Sequence, residues 1–263
     1  MNKASRRQLL ETSRLRLKKY RALYQRYLIS GRHAIAAALQ AGDLQPLELL
    51  VTEAAREFIA HLPLPEGLPV FLITEKEAAK IGDETTPQGI FLTSRRPCYE
   101  WQTASFRSPV LYLEQVNDPG NLGTIIRTAC WFGVKQILLS PDSADPFQPK
   151  SVRASAGYLP HLSVYEQVSL NDLREIRKKT GFQLVATAPA NATPLPELIR
   201  QAGRRLILAF GSEAHGLSSD LLNICDHRMT IPGKGSVESL NLGVAVAVSL
   251  YQLTIIDHLS NGE

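Results

Sequence analysis

Apolar positions change period along this chain, and the changes mark its elements. Leu17, Tyr20, Tyr24 and Tyr27 recur at spacings of three, four and three, which predicts one face of an amphipathic helix over 14–28. The Ala-rich stretch from Gly31 to Ala41 reads as a short helix ending at Gly42. Apolar runs at 47–51, 70–73 and 90–93 predict strands. A helical stretch at 53–61 lies between the first two, and Thr86-Pro87-Gln88-Gly89 makes the turn before the third. Alternation on this scale predicts a small α/β unit over 27–94.

Residues 95–108 lose the periodicity and read as a linker. Strand-like runs then return at 110–116, 136–139, 184–188, 206–210 and 229–231, mostly with helical stretches between them. Buried apolar strands alternating with helices indicate a parallel sheet, so 109–263 is expected to be a second, larger α/β domain.

The chain of 263 residues carries a formal net charge of +4 that is unevenly spread. Residues 1–32 hold ten Lys or Arg against one acid, Glu11, a net of +9; the remainder holds 19 basic and 24 acidic residues, a net of −5. Residues 1–26 are therefore set apart as a basic N-terminal extension. A basic arm on a mildly acidic body suits a polyanionic partner, a solvated helix face or an Arg-rich transit segment. No apolar run approaches the roughly 18 residues of a membrane span, and no secretory signal is recognised in the first 30 residues. Cys98, Cys130 and Cys225 form no CxxC pair. They read as buried reduced thiols of a cytoplasmic protein, with neither a metal site nor a disulfide framework.

Neither GxGxxG after a strand nor GxxxxGK[ST] occurs. Three other segments stand at the C-terminal ends of expected strands, where open α/β sheets bind ligands. Asn117–Arg127 begins with turn chemistry, and Asn121 is placed to cap a helix whose apolar face is Leu122, Ile125, Ile126 and Ala129. Arg127 lies off that stripe, so it faces either a ligand or solvent. Phe210–Ser218 sets Gly211 and Gly216 around Glu213, as an acceptor in a site or a helix cap. His215 has no second ligand at metal spacing. Ile231–Asn241 is a glycine-bearing loop that brings Ser239 and Asn241 to the start of a buried helix.

Taken together and in this order, Asn121…Arg127, Gly211-Ser212-Glu213…Gly216 and Ile231-Pro232…Ser239-Leu240-Asn241 resemble the three motifs of the SpoU (TrmH-like) branch of the SPOUT RNA methyltransferases. Lys18-Lys19-Tyr20-Arg21, Leu28-Ile29-Ser30-Gly31 and Thr86-Pro87-Gln88-Gly89 resemble the family's RNA-binding domain, and Val152–Gly157 also fits. Ser30 stands where a glutamate is frequent, a departure that touches RNA choice. The resemblance implies an L30e-like α/β substrate-binding domain, then an α/β domain threaded into a trefoil knot. It implies S-adenosylmethionine held largely by backbone groups at Thr187, Gly211, Ile231 and Leu240. It also implies methyl transfer to a ribose 2'-hydroxyl, with Asn121, Arg127, Glu213, Ser239 and Asn241 at the reacting centre. Arg14, Arg16, Lys18, Lys19, Arg21 and Arg32 are the expected RNA contacts. A homodimer with 238–257 in its interface is expected, and ribosomal RNA is the first choice of substrate. Transfer RNA, methylation of a base nitrogen and a non-catalytic RNA-binding role are the alternatives.

Overall fold

The computed structural model describes residues 1–261 other than 85, 189–191, 203–204, 235 and 237–238, with 199–202 and 257–261 described as backbone alone. The chain forms two units, Met1–Cys98 with Asp145–His161, and Tyr99–Ala144 with Leu162–Glu263.

The first unit runs β1 (Asn2–Lys3), α1 (Arg6–Arg14), α2 (Lys18–Tyr24), β2 (Arg26–Ser30), α3 (Arg32–Ala38), β3 (Pro46–Thr52), β4 (Val70–Ile73), α4 (Glu75–Ile81) and β5 (Ile90–Arg95). Its sheet has the order β1-β4-β3-β5-β2. The expected helix over 14–28 is instead two short helices and a strand. Gln25 takes a left-handed conformation (φ 50°) that ends α2, and Tyr27 then lies fully buried in β2. The first 26 residues are also no detached extension. β1 pairs with β4, Ser5 and Gln8 close a capping box on α1, and Leu15 is buried in the core with Leu50 and Phe91. Residues 53–61 form 3-10 rather than α-helix.

The second unit continues with β6 (Val110–Glu114), α5 (Pro119–Trp131) and β7 (Gln136–Leu139). After α6 (Pro149–Ala154), which belongs to the first unit, come β8 (Ser163–Tyr165), α7 (Leu170–Thr180), β9 (Gln183–Thr187), β10 (Thr193–Pro194), α8 (Leu195–Ala202), β11 (Leu206–Gly211), α9 (Ser219–Ile224), β12 (His227–Thr230) and α10 (Leu242–Asn261). Its strands make one parallel sheet in the order β10-β12-β9-β11-β6-β7-β8. Every residue of β6 is buried, as a central strand covered on both faces requires. Residues read as linker pack here: Tyr99, Trp101, Ala104 and Phe106 lie against the core formed by Tyr112, Tyr165, Leu173 and Leu184.

Residues 145–161 complete the first unit. Asp145 binds the Arg21 guanidinium through Nε at 3.1 Å and Nη2 at 2.6 Å, and Arg21 Nη1 donates to the carbonyls of Leu15 and Arg16. Both charges are buried, 2% and 7% exposed. Phe147 packs edge-on against Tyr27, Arg153 pairs with Asp83, and His161 Nε2 meets the Ala37 carbonyl at 2.9 Å. Gly157 (φ +89°) passes so close to α3 that a Cβ would lie 2.1 Å from the Ala34 carbonyl oxygen.

A buried ion pair with one member removed leaves an uncompensated charge. Asp145→Ala should therefore destabilise the protein by about 3–5 kcal/mol. Arg153→Ala, which breaks a part-exposed pair, should cost roughly 1 kcal/mol or less. Urea denaturation of the full chain, followed by near-ultraviolet circular dichroism, measures both; equal losses would disprove the ranking.

Candidate functional site

Parallel strands deliver their C-terminal ends to one edge of the sheet, and the three motif segments meet there. At the end of β6, Asp118 rather than Asn121 caps α5, accepting the Asn121 backbone N–H at 2.8 Å, with Pro119 in the first turn. Asn121 thus sits inside the first turn with its carboxamide available. Glu213 Oε1 takes that carboxamide at 3.0 Å and the Asn241 carboxamide at 2.7 Å. It also accepts, at 3.4 Å, the backbone N–H of Leu242, the first residue of α10. Asn241 Oδ1 in turn accepts the Val244 N–H at 3.3 Å. One carboxylate oxygen therefore ties three segments that lie as much as 120 residues apart. An anion at a helix N-terminus also meets the positive end of its dipole.

The loop bearing Glu213 is shaped by backbone contact. Gly216 N donates to Ser212 O at 2.8 Å, and Gly216 has φ +65°. A Cβ at Gly211 would lie 2.0 Å from the Gly216 carbonyl carbon, so only glycine fits there. The far end of the loop is held by Glu114, a buried carboxylate that accepts both the N–H and the hydroxyl of Ser218 at 2.7 Å. Ser218 Oγ also caps α9 through the Leu221 N–H. Sequence pattern did not single out Glu114; its signal is an acid closing an otherwise apolar buried strand.

Beside this network lies a cavity of about 540 Å³, within the size range of small-molecule sites. Thr187, Gly211, Ile231 and Leu240, the four expected cofactor positions, all line it, as do Glu213, His215 and Ser239. Apolar wall comes from Leu217, Met229, Leu242 and Ala245. Thr187 Oγ1 donates to the Ala209 carbonyl, fixing the rim where β9 and β11 end. Gly235, Val237 and Glu238 of the third segment lie outside the described residues. Apolar walls with exposed backbone polar groups at strand ends suit a flat heteroaromatic ring read by N–H and C=O groups.

Arg127 lies exposed on α5, six residues beyond Asn121, without a side-chain partner among the described residues. Geometry thus joins Asn121, Glu213 and Asn241 directly, places Glu213 and Ser239 at the cavity wall, and leaves Arg127 apart. The cysteines, expected to be buried, are exposed (Cys98) or part-buried (Cys130 and Cys225); burial still pushes the Cys130 thiol up to about 11, so it is protonated near neutral pH.

Of the expected RNA contacts, Lys18, Lys19, Arg16 and Arg32 are exposed in the first unit. Arg14 and Lys19 flank the Tyr20 ring, and Arg32 lies over Phe58. Arg21 is a correction: its guanidinium is committed to Asp145 and two carbonyls inside the core, and it presents nothing to a phosphate. Helical spacing placed it among surface cations because that spacing cannot show a burying segment 124 residues away. Among the described residues no cluster of His, Cys, Asp or Glu could hold a metal ion, and no helix is long and apolar enough to cross a membrane.

Comparison with known proteins agrees with this geometry. Residues 108–251 match the SpoU rRNA Methylase family and residues 7–92 the MRM3-like substrate binding domain. The chain is 31% identical over 250 residues to the 23S rRNA (guanosine(2553)-2'-O)-methyltransferase RlmP of Bacillus subtilis, covering 95% of this chain and 97% of that protein. It is 34% identical over 228 residues to an uncharacterized tRNA/rRNA methyltransferase of Synechocystis sp., 86% and 82% of the two chains. Among solved structures, an AdoMet-bound rRNA methyltransferase from Sinorhizobium meliloti superposes with a TM-score of 0.82 at 26% identity, over 96% of this chain and 95% of that one. A network of two asparagines on one glutamate, a glycine-shaped loop and a cavity at the carboxyl edge of a parallel sheet thus belong to a recognised family: this chain is an RNA methyltransferase of the SpoU rRNA methylase family.

Proposed function

We propose that the protein transfers the methyl group of S-adenosylmethionine to a ribose 2'-hydroxyl of structured ribosomal RNA in the cytoplasm. The observation that carries this reading is the joining of Asn121 and Asn241 on Glu213, which lines the same cavity as Thr187, Gly211, Ile231 and Leu240. The cavity fits the cofactor in chemistry: apolar side chains for the adenine face, strand-end backbone for its polar edge, and a glycine where a side chain would collide. When bound, the sulfonium supplies an already electrophilic methyl group.

This chain's residues then have to align the hydroxyl and manage its proton. Glu213 restrains both carboxamides, so Asn121 and Asn241 offer fixed polar groups rather than mobile ones. The exposed Ser239 hydroxyl is placed to orient the ribose. An arginine side chain stays protonated in proteins, so Arg127 is no base. Its role is to hold the phosphate beside the reacting ribose and to stabilise the developing alkoxide, with the proton leaving through water.

An L30e-like first unit and a trefoil knot in the second remain part of this proposal. They are supported by the substrate-binding match over 7–92 and by a sheet in which β6 pairs with β11, about a hundred residues later. A homodimer is also proposed, with 238–257 contributing to its interface. Val244, Tyr251 and Ile255 expose an apolar stripe on α10, and Trp131, 84% exposed, ends α5, which packs on α10. Patches of this kind mark protein contacts. Arg127 and Trp131 lie four residues apart on α5, so the same interface would bring Arg127 to a site completed by both copies.

Incubation with S-adenosylmethionine and ribosomal RNA, followed by nucleoside mass spectrometry, should yield a 2'-O-methylated nucleoside. A methylated base, a product on transfer RNA alone, or none at all, would replace this reading. Arg127→Ala should lower the single-turnover rate by about 10²–10³ and leave cofactor affinity unchanged. Arg127→Lys, which keeps charge but loses the planar fork, should be nearly as slow; near wild-type rates would remove Arg127 from the mechanism. Replacing Lys18, Lys19 and Arg32 with alanine should flatten the salt dependence of RNA binding by about 0.7–0.9 in log–log slope per lost phosphate contact. Light scattering at micromolar concentration should give twice the chain mass, and a monomer would refute the interface.

A further inference from the structure

Four neighbouring strands of the parallel sheet, β9, β11, β6 and β7, are each entered through an exposed cation. Lys178 and Lys179 end α7 before β9, Arg205 precedes β11, Arg107 precedes β6, and Lys135 precedes β7. We propose that this amino-terminal edge of the sheet is a second RNA-binding surface, gripping the phosphate backbone of a segment remote from the methylated nucleotide. The inference rests on RNA being the substrate, as proposed above.

Strand spacing of about 4.8 Å sets these entry points in a row of about 14 Å. Hydrogen bonds knit the row together. Arg205 Nη1 donates to Thr180 O at 3.0 Å, Leu206 N to Ser108 Oγ at 3.0 Å, and Arg107 N to Gln136 Oε1 at 3.1 Å. Gln136 Nε2 closes the corner on the Ser105 carbonyl. Lys179 Nζ lies 5.2 Å from the centre of the Trp101 ring, so an aromatic face adjoins the cations.

Opposing charge is sparse. Asp226, the acid at the entry to β12, is already bound by Arg177. Among the described residues, Glu100 and Glu175 are the exposed acids nearby in sequence, against the five cations of the row and Arg174. Helix-dipole complementarity explains Lys178 and Lys179 at the end of α7, but Arg107 and Lys135 stand outside any helix. The five residues of β6 separate this edge from the cavity edge by about 15 Å. A phosphate gripped here is therefore not the one beside the reacting ribose. A polyanion with charge repeated along its length fits such a row better than a single small anion does, and phosphate contacts need no base identity.

The test uses the full chain with Arg107, Lys135, Lys178 and Lys179 all replaced by alanine. Arg205 is retained because it holds the Thr180 carbonyl. All four replaced side chains are exposed, and an unchanged thermal midpoint verifies folding. Two probes are compared: transcribed full-length 23S rRNA, and a short hairpin cut from it around the nucleotide that the wild-type protein methylates. On the long RNA, affinity should fall at least tenfold and the salt slope by two or more, at about 0.7–0.9 per phosphate. Hairpin affinity and hairpin methylation should stay within twofold. An unchanged slope on the long RNA, with the wild-type protein binding it, overturns the inference and leaves the proposed function standing. Equal loss on both probes overturns the remote contact. A wild-type protein that neither binds nor methylates either RNA sinks the proposed function itself.

Discussion

One carboxylate oxygen, Glu213 Oε1, carries the geometry of the functional site. It receives the carboxamides of Asn121 and Asn241 and the first N–H of α10. Those donors come from the first turn of α5 and from the junction of the β12 loop with α10, 120 residues apart in sequence. A charged acceptor shared by several donors is stronger than neutral bonds would be, and it leaves each carboxamide with one orientation. Among the described residues, the other side-chain bond between the first turn of α5 and the start of α10 is the longer one from Asn241 Nδ2 to Asn121 Oδ1, at 3.4 Å.

Closeness of backbone to backbone is the second constraint. Gly211 touches the Gly216 carbonyl, and Gly216 turns through positive φ, so the strand end and its loop lie flat against each other. A side chain at Gly211 would push them apart and fill the rim of the cavity. Glu114 secures the same loop from below by taking both polar groups of Ser218. Two carboxylates thus share the loop: Glu114 holds its base, and Glu213 at its tip gathers Asn121 and Asn241. The buried acid is tolerated because both of its oxygens are satisfied.

The first unit rests on a different device. Residues 145–161 leave the second unit in sequence and fill the first, where Asp145 neutralises a guanidinium that would otherwise be buried alone. Arg21 then gathers the carbonyls left at the bend between α1 and α2. Folding of the amino-terminal residues consequently depends on a segment synthesised more than a hundred residues later, and the first unit has no continuous stretch of sequence that encodes it alone.

Five strands of the parallel sheet, the Asn121–Arg127 helix and the glycine loop around Glu213 were legible in sequence, because each is announced locally by an apolar run or by turn chemistry, whereas the short edge strands β8 and β10 carry no such signal. Three motif segments in order were enough to name the family, and the expected positions Thr187, Gly211, Ile231 and Leu240 line one cavity. What sequence could not determine was every feature made by chain segments meeting from afar. Periodicity made one helix of 14–28, whereas Gln25 turns left-handed and Tyr27 enters a strand, since burial in the sheet outweighs helical spacing. It counted Arg21 as a surface cation, and it passed over Glu114 and Asp145 as ordinary acids. It gave the capping role to Asn121, which Asp118 takes, leaving the Asn121 carboxamide for Glu213. Local pattern reports which face of an element is apolar; only the tertiary structure decides which distant charge or carbonyl a polar side chain meets, because that depends on the order in which strands pair.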